Sequence, residues 1–161
     1  MKNKYADLIE QTFDFPTDAF TVKNNVLHWY DVNIEEIAKK YGTPLKLTNL
    51  PKISMQIQKA KRLFKNGMKK INYKGNYNYC YCTKSSHFSF ILNEVLNNDV
   101  HLETSSGFDI DIVRQLFEKG KISKKQFIVC NGFKKIDYIE KSAALINEGF
   151  ENLIPVIDNK K

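Results

Sequence analysis

Residues 2–13 interleave charged and polar positions with Tyr5, Leu8, Ile9 and Phe13. That three-and-four spacing predicts an amphipathic helix, which Phe15-Pro16 would stop. Two β-rich runs follow, Phe20–Lys23 and Val26–Tyr30, around Asn24-Asn25. Asparagine tolerates positive φ, so this pair predicts a two-residue hairpin turn. Asn33 with Glu36 three residues on reads as the start of a short helix, and Gly42 as its left-handed end.

From Gly42 onward the period switches regularly between two and 3.6 residues. Strands are predicted over Thr43–Thr48, Tyr77–Cys82, Val100–Thr104, Phe127–Cys130 and Leu153–Ile157. Helices are predicted over Pro51–Lys70, Phe88–Asn97, Phe108–Lys119 and Lys135–Glu148. Their inward stripes are read as Phe88, Leu92, Val95 and Leu96; then Ile112, Val113, Leu116 and Phe117; then Ile139, Ala143 and Ile146. Gly120 and Gly149 fall where helix C-caps belong. Strand, helix, strand at this rhythm predicts a parallel α/β sheet, and the apolar runs Phe127–Val129 and Leu153–Ile157 predict strands covered on both faces.

The residues just past the strand ends are polar: Thr83, Lys84, Ser85, Ser86 and His87; then Ser105, Ser106 and Gly107; then Asn131 and Gly132; then Asp158 and Asn159. In parallel α/β folds that rim is where ligands bind. A closed (β/α)8 barrel takes roughly 250 residues. The expectation is therefore a chain that stops part-way through such a fold, with Leu153–Ile157 as an apolar edge.

Composition narrows the class. The 161 residues are 42% hydrophobic and carry a net charge of +7, from 25 basic and 18 acidic side chains. Only two of the basic residues are Arg, Arg62 and Arg114, and the lysines are dispersed along the chain. A solvated surface is expected in place of a nucleic-acid interface. The N-terminus lacks the apolar core of a secretion signal, and no run is long enough to span a membrane. Three sparse cysteines, Cys80, Cys82 and Cys130, argue for reduced thiols in a cytoplasmic protein.

Lys84 is the sharpest chemical candidate. A strand-end lysine that is partly desolvated becomes a nucleophile toward carbonyls, whereas a solvated one is inert. Cys80 and Cys82 share one strand face with His87 near, but a fourth ligand is missing, so no metal site is expected. Tyr73, Tyr77, Tyr79 and Tyr81 alternate as strand packing would, and His28 and His101 read as ordinary strand residues. Neither a GxGxxG nor a GxxxxGK[ST] loop is present, so nucleotide binding has no support.

Four segments, in order and register, resemble the alanine racemase-like (fold type III) pyridoxal-phosphate (PLP) decarboxylases, and their biosynthetic arginine decarboxylase branch most of all. Tyr41-Gly42-Thr43-Pro44-Leu45 resembles that family's opening YGTPL. Tyr81-Cys82-Thr83-Lys84-Ser85-Ser86 resembles its lysine motif, with Ser85-Ser86 departing from the usual Ala-Asn. His101–Asp109 resembles the next strand and turn, and Ile128–Lys134 the segment ICNGYKD.

The resemblance implies an incomplete (β/α)8 TIM barrel of about four strands over 35–161, preceded by a helix-and-hairpin extension over 1–34. It implies that Lys84 forms the Schiff base with PLP, and that Glu103 tunes the lysine amine. Ser106, which also reads as a helix cap, and Asn131 with Lys134 would line the cofactor pocket. The implied reaction is decarboxylation of a basic amino acid, L-arginine to agmatine, by a homo-oligomer, with magnesium as a further associated ion. Diaminopimelate decarboxylation, a non-catalytic PLP-binding role and a basic nucleic-acid module are the alternatives. The phosphate-binding turn, the partner of the pyridine nitrogen and the catalytic cysteine of the family have no counterpart within these residues, so the chain alone is expected to be an inactive part of a longer enzyme.

Overall fold

A computed structural model of the chain describes residues 19–157. The helix expected over residues 2–13, and Asp158 and Asn159, lie outside them. The chain divides into two compact units between Thr48 and Asn49.

In the first unit, β1 (Phe20–Lys23) and β2 (Val26–Trp29) form the expected antiparallel hairpin. Asn24 and Asn25 take φ of 51° and 63°, the conformation that a two-residue turn with right-handed strand twist demands. A third short strand, β3 (Val32–Asn33), pairs with β2, which the sequence pattern did not reveal. Asn33 caps α1 (Ile34–Tyr41): its Oδ1 accepts from the Glu36 backbone N–H at 3.1 Å, and its Nδ2 donates to the Glu36 carboxylate at 3.0 Å. Gly42 ends the helix at φ 82°, but with ψ −178° it lies outside the expected left-handed helical region. The strand expected over 43–48 is absent. A strand exists only through ladder hydrogen bonds, and among the described residues no strand is laddered to this segment, which holds the cis bond Thr43-Pro44.

The second unit begins with α2 (Leu50–Lys70), capped by Asn49 and carrying Pro51 in its first turn. Then come β4 (Cys80–Cys82), a one-turn 3₁₀ helix at Thr83–Ser85, α3 (Ser89–Leu96), β5 (His101–Thr104), α4 (Gly107–Glu118), β6 (Ile128–Cys130), α5 (Ile136–Asn147) and β7 (Leu153–Pro155). The four strands form one parallel sheet in sequence order, as helical crossovers between neighbouring strands produce. Both α4 and α5 end in a Schellman turn. Gly120 and Gly149 sit at positive φ, and the paired bonds are Gly120 N to Phe117 O with Lys121 N to Leu116 O, and Gly149 N to Ile146 O with Phe150 N to Leu145 O.

One sheet face is covered. Leu102, Ile128 and Cys130 are buried against Ile110, Val113 and Leu116 of α4 and Tyr138 and Leu145 of α5. Ile57 of α2 joins Ile91, Val95 and Val100 in an adjoining cluster. Beside it Asn98, 6% exposed, donates to Ser54 Oγ and the Glu94 carbonyl and accepts from Gln58, so this buried amide is satisfied.

Three packing expectations are corrected. Phe88 stands at the N-cap of α3, outside the helix proper, and is 52% exposed. On α5 the buried residues are Tyr138 and Leu145, whereas Ile139, Ala143 and Ile146 point outward. Two stripes of similar apolarity competed there, and the hydroxyl of Tyr138 selected the inward one by pairing with Thr104 at 2.8 Å. The strands also lack cover on their second face, where Glu103, Val129 and Ile154 are half-buried or exposed among the described residues. Of the tyrosine series, only Tyr81 lies in a strand, because β4 begins at Cys80.

Candidate functional site

The ends of β4, β5 and β6 deliver three turns to one rim, each fixed by its own polar contacts. After β4, Thr83 is fully buried and donates Oγ1–H to the Glu103 carbonyl at 3.1 Å, which ties the 3₁₀ turn to β5. Ser85 Oγ donates back to the Cys82 carbonyl at 2.7 Å, and the Tyr81 hydroxyl donates to the Ser86 carbonyl at 2.9 Å. Lys84 rides on this turn with its side chain exposed and with no hydrogen bond or ion pair among the described residues. The partial desolvation expected of it is therefore not provided by these residues. The turn that carries it is held by these three hydrogen bonds, none of which uses the amine.

Glu103 sits on β5 opposite Cys82, two residues before Lys84 on the neighbouring strand. Its carboxylate accepts from Asn131 Nδ2 at 3.0 Å and makes no ion pair with Lys84. Asn131 follows β6, its backbone N–H bonded to the Thr104 carbonyl at 2.8 Å. Glu103 and Asn131 thus form one unit, and Lys84 stands on the adjacent turn. Lys134 bends back instead: its Nζ donates to the Gly132 carbonyl at 2.6 Å and lies over the Tyr138 ring at 5.2 Å.

Ser106 is the N-cap of α4, its Oγ exchanging hydrogen bonds with Asp109. Asp109, 4% exposed, is the residue that organises this turn and that the sequence reading passed over. Its Oδ2 accepts from Ser105 N at 2.8 Å, Ser105 Oγ at 3.0 Å and Ser106 Oγ at 3.1 Å. The Ser-x-x-Asp spacing before an apolar run, a capping-box signature, is the signal that points to it. The β5 and β6 turns then close on each other. A Cβ at Gly132 would collide with the Ser105 carbonyl, so only glycine permits this approach. Similarly, a Cβ at Gly107 would collide with the Asp137 carboxylate.

Beneath the rim Tyr138 bonds both atoms of Thr104 that it can reach, the hydroxyl at 2.8 Å and the carbonyl at 3.0 Å. Burial pushes its phenol well above the usual value near 10. On the uncovered face, burial first and the Glu103 charge second push the Cys80 thiol up, so it is a poor thiolate. Burial holds the His101 imidazole below its ordinary value. Its Nδ1 accepts from the Phe127 N–H at 3.3 Å, which places the neutral ring's proton on Nε2. Among the described residues no group of three or more His, Cys, Asp or Glu could hold a metal ion.

The rim is open. A cleft of about 510 Å³ lies instead along α2, with Lys61, Arg62, Lys65 and Tyr77 in its lining, and a smaller one of about 170 Å³ runs between α3 and α4. Neither includes Lys84, Glu103 or Asn131. No helix of the described residues is long and apolar enough to cross a membrane.

No family model and no curated protein matches the chain. Solved structures do. The biosynthetic arginine decarboxylase of Campylobacter jejuni matches with a TM-score of 0.62 and 20% identity over 99% of this chain and 27% of that one. The diaminopimelate decarboxylase of M. jannaschi matches with a TM-score of 0.62 and 21% identity over 82% of this chain and 32% of that one. The chain thus spans about a quarter to a third of the length of these enzymes, and at this identity the likeness is one of fold. An α/β chain with a four-stranded parallel sheet in sequence order is consistent with part of a (β/α)8 barrel.

Proposed function

We propose that this chain forms the lysine-bearing part of a PLP-dependent decarboxylase that acts on a basic amino acid, with L-arginine converted to agmatine as the reaction. The observation that carries the reading is the place of Lys84. It is an unpaired primary amine on a turn held by three hydrogen bonds, at the C-terminal end of a parallel strand, next to a carboxylate–amide pair. The motif resemblance around Lys84 and the likeness in fold to an arginine decarboxylase support the same reading.

These residues fit PLP as far as they reach. Lys84 offers the amine that a carbonyl requires, and Glu103 with Asn131 offers charge and a donor at the same rim. When bound, PLP supplies an electron sink for the charge left as carbon dioxide departs. Lys84 would hold the cofactor through its amine. Glu103 places negative charge where a cationic nitrogen is favoured. Ser106, being tied into the α4 cap, serves the pocket by holding the turn. Magnesium is given no step, because the described residues offer it no ligand group.

Diaminopimelate decarboxylation is the second reading, favoured by the other matched fold. Because Lys84 lies on an open rim, the 161 residues alone are expected to show no turnover, and a homo-oligomer of the intact protein would complete the site. The test adds PLP to the intact protein that carries this sequence and compares visible absorbance with a Lys84→Ala variant. Absorbance of lysine-linked cofactor in the parent, lost in the variant, supports the reading; its absence from both refutes it. Carbon dioxide released from arginine, against that from diaminopimelate, then separates the two substrates.

A further inference from the structure

Glu103 is set by its strand, yet a glutamate side chain has three rotatable bonds, and β5 alone does not fix where its charge stands. One described contact does. Asn131 Nδ2 donates to Glu103 Oε1 at 3.0 Å, and Oε2 has no partner among the described residues. The backbone that carries Asn131 is held on both sides. The Asn131 backbone N–H is bonded to Thr104, the preceding Cys130 carbonyl accepts from Val156 at 3.0 Å, and the following Gly132 is pressed against the Ser105 carbonyl. The amide is thus a donor carried on a fixed backbone and directed across the sheet at one carboxylate oxygen.

We infer that Asn131 is a positioning residue that acts through Glu103 instead of touching the cofactor: it holds one carboxylate oxygen and leaves the other available at the rim that carries Lys84. This rests on the reading of Lys84 given above. A carboxylate held beside a cationic nitrogen favours the protonated form of that nitrogen. A carboxylate free to swing into water does so less, because its charge is then screened.

The test is spectroscopic and uses the intact protein loaded with PLP. The pH midpoint of the lysine-linked absorbance is measured for the parent, Asn131→Ala, Glu103→Gln and the double variant. Asn131→Ala is expected to lower the midpoint by about half a unit to one unit, and Glu103→Gln by at least as much. In the Glu103→Gln background, Asn131→Ala is expected to add nothing, as a residue acting only through Glu103 requires. Equal, additive shifts would overturn the inference, as would an Asn131→Ala midpoint unchanged from the parent. A purely structural role would lower the thermal midpoint and leave the spectral one in place, so melting of each variant is recorded alongside. Absence of any Lys84-dependent absorbance in the parent would defeat the underlying reading instead, and is a distinct result.

Discussion

The two faces of the parallel sheet have the same backbone and opposite content. On one, Leu102, Ile128 and Cys130 are wholly buried under α4 and α5, and the single polar intruder, Thr104, is satisfied by Tyr138. On the other, Cys80, Cys82, His101 and Glu103 stand half-buried, each paired across the ladder with another polar or reactive neighbour. A period of two along each strand sends alternate residues to opposite faces, so one strand serves both packing and chemistry. The lesson is a separation of tasks. The helix-covered face holds the strands in register, and that register brings Glu103 opposite Cys82 and next to the turn of Lys84.

The contrast is broken most strongly from the covered side. Leu102→Ala is expected to cost about 2–5 kcal/mol in chemical denaturation, as a cavity in a tight cluster does. Val129→Ala, half-buried on the other face, is expected to cost far less. Equal losses would mean that the second face is packed as tightly as the first.

A smaller effect comes from the one polar pair under the core. Tyr138→Phe removes the hydroxyl that donates to the Thr104 carbonyl and pairs with its side chain, and should cost about 1–3 kcal/mol. The phenol also predicts a pH dependence. Its folded value is raised by burial, so the folded state keeps a proton that the unfolded state has lost once pH passes about 10. Stability from this group is complete below that pH and falls as pH rises above it, and the fall should be shallower in Tyr138→Phe, with Tyr79 and Cys80, also raised by burial, supplying the rest. Denaturation midpoints at a series of alkaline pH values check the sign.

The smallest effect sharpens the comparison on the open face. Burial and then Glu103 raise the Cys80 thiol, so Glu103→Gln should make Cys80 alkylate faster at a fixed pH, by a modest factor because burial is the larger cause. Site-resolved alkylation followed by mass spectrometry reads this directly. An unchanged rate would place the Glu103 charge away from Cys80.

The chain order of strands and helices, the hairpin turn at Asn24-Asn25, both Schellman glycines and the Asn33 cap were legible in the sequence, because each depends on residues within four or five positions of one another. The place of Lys84 just after a strand was legible too, since it follows the β4 run directly. The missing strand over 43–48 and the inward face of α5 were not legible. Each was decided by a distant partner: the first lacks a ladder mate, and the second turns on Tyr138 reaching Thr104, 34 residues earlier.

The sequence by itself determined the helices and parallel strands from Leu50 onward, within a few residues at their ends, and which polar residues stand at strand ends, since local periodicity and capping chemistry are written in adjacent residues. Only the tertiary structure decided that Asn131 grips Glu103, that Asp109 gathers the Ser105–Ser106 turn, and that Gly132 lets two turns close. Those pairings join chain segments through the register of a parallel sheet, and register comes from the packing of the buried face.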